Sequence, residues 1–236
     1  MSELGGKPAG RSSQGDRAPS LPSLPVRVGQ LVFSPTRLFD ALRERPVWFW
    51  TLALGAILVV SGVLAIPTEV WGEMMRAQLL EAGQPVPEGI ENQGGLFRVG
   101  GAIAAGVFWF VVAFVSAGLI TGIFAFLLGD EVGYRQVLSV VSHTSLIGAL
   151  GSLIVLPLRI LQRDPQLTLS VGTFLPGLDG YAGAFFRGLD LFGIWSYLLL
   201  ALALTRLDPR RGFGVAAAVL MTMFVGVVAV FAIFQA

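Results

Sequence analysis

The sequence predicts an all-α fold: a polytopic membrane helical bundle with five transmembrane helices and a short N-terminal amphipathic helix at the interface. Three observations carry this. Hydrophobic residues make up 54% of the 236 and charged residues 13%, with a mean hydropathy of +0.75, so a water-soluble domain of this length would lack the polar surface to cover itself. Charge-free stretches recur that meet the roughly 20 residues a helix needs to cross hydrocarbon at about 1.5 Å per residue. Charges, glycines and prolines collect between those stretches. The chain has no cysteine, which removes disulfides and thiolate metal sites. A net charge of +1 without a basic patch argues against a nucleic-acid partner.

In chain order, residues 1–27 are rich in Gly, Ser, Pro and Ala, with few large apolar side chains, and are expected to form a disordered cytoplasmic tail. Residues 1–30 hold no apolar run of the secretory type, so no signal peptide is expected. Residues 28–45 change character. Ser34 can cap a helix, Pro35 suits its first position, and Leu38, Phe39 and Leu42 share one face, with Arg37, Asp40, Arg43 and Glu44 on the rest. This predicts an amphipathic helix on the membrane surface, its basic residues toward anionic headgroups. The membrane domain follows over 46–236, with spans at about 47–67, 101–128, 136–158, 184–205 and 213–234.

Pro46 to Thr68 is charge-free for 23 residues and has Trp48, Trp50 and Trp71 where aromatic belts form. The 69–98 loop carries Glu69, Glu73, Glu81, Glu88 and Glu91 against Arg76 and Arg98; without a histidine or a calcium-loop pattern it reads as a solvated acidic loop. Val99 to Gly129 is charge-free for 31 residues, longer than one perpendicular crossing, which implies tilt or a partly interfacial start. Gly118 and Gly122 form a small-xxx-small pair that predicts close helix packing, within the chain or with a partner.

The third span holds the concentrated polar chemistry. Between Arg135 and Arg159, 23 residues are charge-free, and Ser142, Ser145, Ala149 and Ser152 recur as a stripe of small side chains beside His143, the sole histidine. Such a stripe packs against another helix. In the fourth span only 15 residues separate Asp190 from Arg206, too few to cross, so Asp190 must lie near or inside the hydrocarbon edge. Arg187, three residues earlier on one helix beginning near Ala182, would neutralise it, or Asp190 would serve as a helix N-terminal acid. Residues 162–181 are apolar but broken by Pro165, Pro176 and glycines, as for a segment lying on the membrane or dipping into it. Gly212 to Ala236 supplies 25 charge-free residues for the last span.

Five spans place eleven of the sixteen basic residues on the side of the N-terminus, so the positive-inside rule puts the N-terminus in the cytoplasm and the C-terminus outside. No HExxH, GxSxG, Walker A or dinucleotide pattern occurs in a supporting context, and no catalytic residue, metal or cofactor is expected. Ser142 and Ser145 lie one and two positions from His143, not at the spacing that brings helical side chains together, so a serine nucleophile is disfavoured. A histidine hydrogen-bonded to Asp190 or to a neighbouring helix remains the reading, with a proton-coupled role as the alternative.

The segments LVFSPTRLFDALRERP, GYRQVLSVVSHTSLIGALGSLIVLPL and RGLDLFGIWSYLLLALALTRL, in this order, resemble bacterial members of the Yip-one family, named from Ypt/Rab-interacting proteins. The resemblance covers about Val32 to Phe234. It implies a five-helix integral membrane protein with a cytoplasmic N-terminus. It also implies an accessory role in membrane transport. Abundant small packing residues and scarce intramembrane charge point the same way, to a non-enzymatic scaffold or accessory subunit in transport or membrane organisation. The DLYGPFW-like entry of eukaryotic members is not present, and no Rab-binding residue is carried over. The partners expected are the lipid bilayer and another membrane protein such as a transporter subunit, with a homo-oligomer compatible with the same faces, in the bacterial cytoplasmic membrane. The alternative is a small-solute or proton-coupled transporter using His143 and Asp190.

Overall fold

The computed structural model describes residues 21–235, so residues 1–20 of the expected tail lie outside the described residues. Ten α-helices account for most of the described residues. The amphipathic segment is two helices, α1 (Leu24–Phe33) and α2 (Pro35–Glu44), where the sequence reading placed one over 28–45. Pro35 is the cause. A proline clashes with a helical conformation at the residue before it, and Ser34 is driven to φ −153°, ending α1 and starting α2. The Ser34 side chain makes no capping bond. Leu38, Phe39 and Leu42 are wholly buried, in contact with protein, because α2 packs on two later helices, Tyr134–Thr144 and Leu191–Leu207. Each such burial contributes about 1.5–3 kcal/mol gross, which ties the segment to the bundle in place of a free membrane surface.

Helix α3 (Phe49–Ala65) runs to Ile66–Pro67, where the chain bends by 82° into α4 (Thr68–Glu81). A 3-10 turn, Ile90–Gln93, leads into α5 (Gly94–Thr121), which continues through a π turn, Gly122–Leu127. Helices α6 (Tyr134–Thr144) and α7 (Leu146–Gln162) form the third expected span, interrupted at Ser145. Ser142, Thr144 and Ser145 all donate to carbonyls of their own helix there, at 2.6, 3.0 and 3.2 Å, a habit that loosens and bends a helix. The chain ends with α8 (Gly180–Gly188), α9 (Leu191–Leu207) and α10 (Phe213–Ile233).

Among the described residues, three helical stretches are long and apolar enough to cross a membrane: Gly94–Leu127, Tyr134–Gln162 and Phe213–Ile233. The bent pair α3 and α4 makes a fourth, and α9 is apolar but only 17 residues long. The fourth expected span is therefore not one helix from Ala182 to Thr205. It breaks at Leu189 and Asp190, where the backbone of Gly188 lies against Val228 of α10 and Asp190 pairs with Ser170 in an isolated bridge.

Ion pairs gather the loops into two ends. At one, Arg206 grips Asp40 of α2 at 2.7 and 2.8 Å, Arg211 grips the buried Asp130, and Asp208 accepts from Arg210 and from the Glu131 amide. The Arg210 guanidinium and the Glu131 amide hold the Asp208 carboxyl well below the usual carboxylate range. At the other end Arg163 donates to both Glu73 oxygens, at 2.7 and 2.5 Å, and Arg159 donates to the Leu167 carbonyl. These are the two groups of loops that alternating crossings would separate.

Candidate functional site

Among the described residues, a deeply buried polar cluster joins α1, α3 and α6. His143 is fully buried, and its Nδ1 lies 2.8 Å from the Ser139 carbonyl one turn earlier. A carbonyl accepts only, so Nδ1 carries the proton and Nε2 is left as an acceptor. Arg27 supplies the donor, its Nη1 3.0 Å from Nε2 and 3.3 Å from the Thr51 hydroxyl, which itself lies 3.1 Å from Nε2. Arginine has no acceptor, so the arrangement is self-consistent with a neutral imidazole.

Helix α6 positions this cluster through one face. Gln136, Ser139 and His143 follow at spacings of three and four, and reach successive points on the chain running from α2 into α3. Gln136 donates to the Arg43 carbonyl at 3.1 Å, Ser139 to the Val47 carbonyl at 2.8 Å, and His143 meets Thr51. Such a ladder uses the i, i+3, i+7 stripe of a helix as a polar seam. Arg27 completes it from α1 but has no carboxylate partner among the described residues. It is 7% exposed, and its Nε has no hydrogen-bond partner. Burying a guanidinium on two neutral acceptors costs energy that a carboxylate would offset.

The residues singled out from sequence separate into different surroundings. His143 does meet a neighbouring helix, but Asp190 is not in its network. Arg159, the cation whose field reaches Asp190, lies 16 residues after His143, roughly 24 Å along the helix path. Asp190 is the N-cap of α9, its Oδ1 accepting from the Gly193 amide at 2.7 Å. Arg187 sits across the break on α8 and is not ion-paired to it; its backbone instead lies against Gly172.

Ser142 and Ser145 spend their hydroxyl protons on their own helix, away from His143. Ala149 is buried, and Ser152 accepts from Arg159 Nη1 at 2.9 Å. A Cβ at Gly118 or Gly122 would meet nothing within 4 Å, so neither position sits at a close approach of another helix of this chain. The close approaches are elsewhere. The Trp109 ring lies on Gly55 with its Nε1 donating to the Leu52 carbonyl at 3.1 Å, and the Phe192 ring lies on Gly151.

Sequence reasoning missed Arg27, assigned to the tail, and Thr51, unremarked in the first span. The available signal was one charge inside the apolar run LPVRVGQLVF, at a helical spacing from Leu24 and Leu31. Because Asp190 acts as a cap, Asp190→Ala is expected to cost about 1 kcal/mol, while Asp190→Asn keeps the acceptor and stays within a few tenths. Thermal unfolding in detergent checks this; a large loss in Asp190→Asn would mean that the negative charge itself is needed.

The Yip1 domain model matches residues 29–230 of this chain. The chain belongs to the Yip1 family. The match begins inside α1, two residues after Arg27, and ends inside α10. The chain is also similar to "Membrane protein YknW" of Bacillus subtilis, at 27% identity over 211 residues, 87% of each chain. No solved structure matches it. As a bacterial Yip1 membrane protein it shows, among the described residues, no cluster of histidine and carboxylates that could hold a metal ion.

Proposed function

We propose that this Yip1 protein is a non-enzymatic membrane scaffold or accessory subunit, working through lateral contacts with another membrane protein in transport or membrane organisation. The observation that carries this reading is how its polar residues are used. His143 is held by Arg27, Thr51 and Ser139, and Asp190 by the first turn of α9, so each serves the fold in a separate network. That speaks against a proton-coupled pair made of these two residues. The longest apolar helix meanwhile leaves open space where side chains at Gly118 and Gly122 would stand.

Replacing Gly118 and Gly122 by leucine is expected to leave folding intact and to remove a co-purifying membrane partner, or a second copy, from the protein isolated in mild detergent. Quantitative mass spectrometry and native gels read the outcome. Undiminished recovery of the same partner in the variant would sink the contact at this face, and recovery of wild-type protein alone would sink the accessory reading.

In this reading the chain crosses five times, with α9 as the short fourth crossing in chain order. Its 17 residues reach about 25 Å at helical rise, and its ends belong to the two opposite loop groups: Asp190 toward Ser170 and Arg159, Arg206 toward Asp40. The basic excess on the Asp40 side supports a cytoplasmic face there in a bacterial cell, with the C-terminus outside. A chain without cysteine makes the test direct. Arg45→Cys is expected to react with a membrane-impermeant maleimide only after the cells are opened, and Gln84→Cys in intact cells; the reverse pattern would invert the topology.

A further inference from the structure

A cavity of about 120 Å³ lies between α5, α6 and α9, lined by Trp109, Ser116, Thr144, Ser145, Ser196 and Tyr197 among apolar neighbours. Helices α5 and α9 each pack on α6 and scarcely touch one another, so α6 is the floor, the other two are walls, and the gap faces sideways. Val112 at its edge is exposed. Ser116 and Thr144 lie well inside stretches long and apolar enough to cross a membrane, and in the proposed bundle the opening meets lipid tails.

The hydroxyls of this cavity divide by what they still need. Thr144, Ser145 and Ser196 donate their protons to carbonyls of their own chain, to Val140 at 3.0 Å, Ser142 at 3.2 Å and Phe192 at 2.8 Å. What they retain is acceptor capacity. Ser116 and Tyr197 have no hydrogen-bond partner among the described residues, and each retains a proton to give. In hydrocarbon, where lipid tails offer neither donor nor acceptor, such groups cost free energy until something satisfies them. No charged side chain lines the cavity, so an ionic headgroup would be stranded there.

The geometry points to a lateral site for the hydroxyl end of an uncharged, bilayer-dissolved long-chain alcohol. A hydroxyl both donates and accepts, matching the spare lone pairs of Thr144, Ser145 and Ser196 and the spare protons of Ser116 and Tyr197. A ketone or ester could only accept. The volume equals about four waters, enough for the polar end and first carbons of one chain while the rest stays in the bilayer. This inference stands apart from the scaffold reading and from any partner at Gly118 and Gly122.

The full chain in phosphatidylcholine vesicles is photolabelled with hexadecanol carrying a diazirine near the hydroxyl, or with the matching methyl ether, and the crosslinks are mapped by mass spectrometry. Labelling by the alcohol is expected on the peptides holding Trp109, Ser116, Ser196 or Tyr197, competed by plain hexadecanol, and about fivefold stronger than by the ether. Ser116→Ala together with Tyr197→Phe is expected to remove most of that difference. Equal labelling by alcohol and ether would overturn the inference. So would crosslinks spread over the outer helix faces, or no crosslink at the cavity, as water alone in it would give. The comparison of the two probes on the unaltered chain keeps the test decisive even if the double variant fails to fold.

Discussion

His143→Leu is expected to lower stability by about 2–4 kcal/mol, a fall of roughly 4–16 °C in the unfolding midpoint for a chain of this size. The loss comes from what is left behind. Leucine nearly matches histidine in volume, but Arg27 then keeps only the Thr51 hydroxyl as acceptor, with its Nε already unpaired. An uncompensated buried guanidinium is the expensive species. Arg27→Met acts on the other partner with a different result. It removes the charge and the unpaired Nε, while the Thr51 hydroxyl, 3.1 Å away, can donate to the buried Nε2 of His143 that Arg27 has vacated. That variant is expected within about 1 kcal/mol of the parent. The double variant, with neither charge nor imidazole, is expected to recover most of the His143→Leu loss. Thermal unfolding in detergent gives the cycle, and hydrogen exchange at α1 amides shows whether the helix has been released. If His143→Leu proves no worse than Arg27→Met, the cluster does not hold α1 as described.

How much of this was legible in the sequence depends on the range of the interaction. Charge-free length is a local property, and it marked the apolar helical stretches, the charged loops between them, and Asp190 as the residue just ahead of an apolar helix. The break before Asp190 was not local: Gly188 lies against Val228, 40 residues on, and Asp190 bridges to Ser170, so the helix expected from Ala182 ends where tertiary contacts claim its backbone. Pro35 was read as a helix start, and the same residue also ends α1, a consequence of its effect on the residue before it. Arg27 could not be matched to His143 at a separation of 116 residues. Polar seams between helices carry no periodic signature when each helix contributes one group, as Arg27 and Thr51 do. The Yip1 resemblance, resting on three ordered segments, supplied the family without supplying this cluster.

Gly94→Ala is the substitution expected to damage the fold most among the glycines of the long span, by about 2–3 kcal/mol despite alanine's better helix propensity. At Gly94 the first turn of α5 meets the backbone of the α3–α4 bend. An added Cβ would collide with the Thr68 carbonyl oxygen and come within 3.0 Å of the Gly72 nitrogen. Backbone cannot rotate aside as a side-chain tip can, so the 82° bend itself would have to move. Gly55→Ala meets the Trp109 ring and Gly151→Ala the Phe192 ring, and these are expected to cost about 1–2 kcal/mol as the rings shift. Gly118→Ala and Gly122→Ala meet nothing within 4 Å and are expected to be neutral or to gain up to about 1 kcal/mol from helix propensity. The order Gly94, then Gly55 and Gly151, then Gly118 and Gly122 is read from unfolding midpoints of the alanine series. It inverts the ranking that small-xxx-small spacing alone would give, because α5 is apolar on every side and spacing cannot say which side faces protein. A stability loss at Gly118 in the purified single chain would restore the packing reading of that pair. A neutral result there, with loss of a co-purifying partner in the leucine variant, would assign those two glycines to a contact outside this chain.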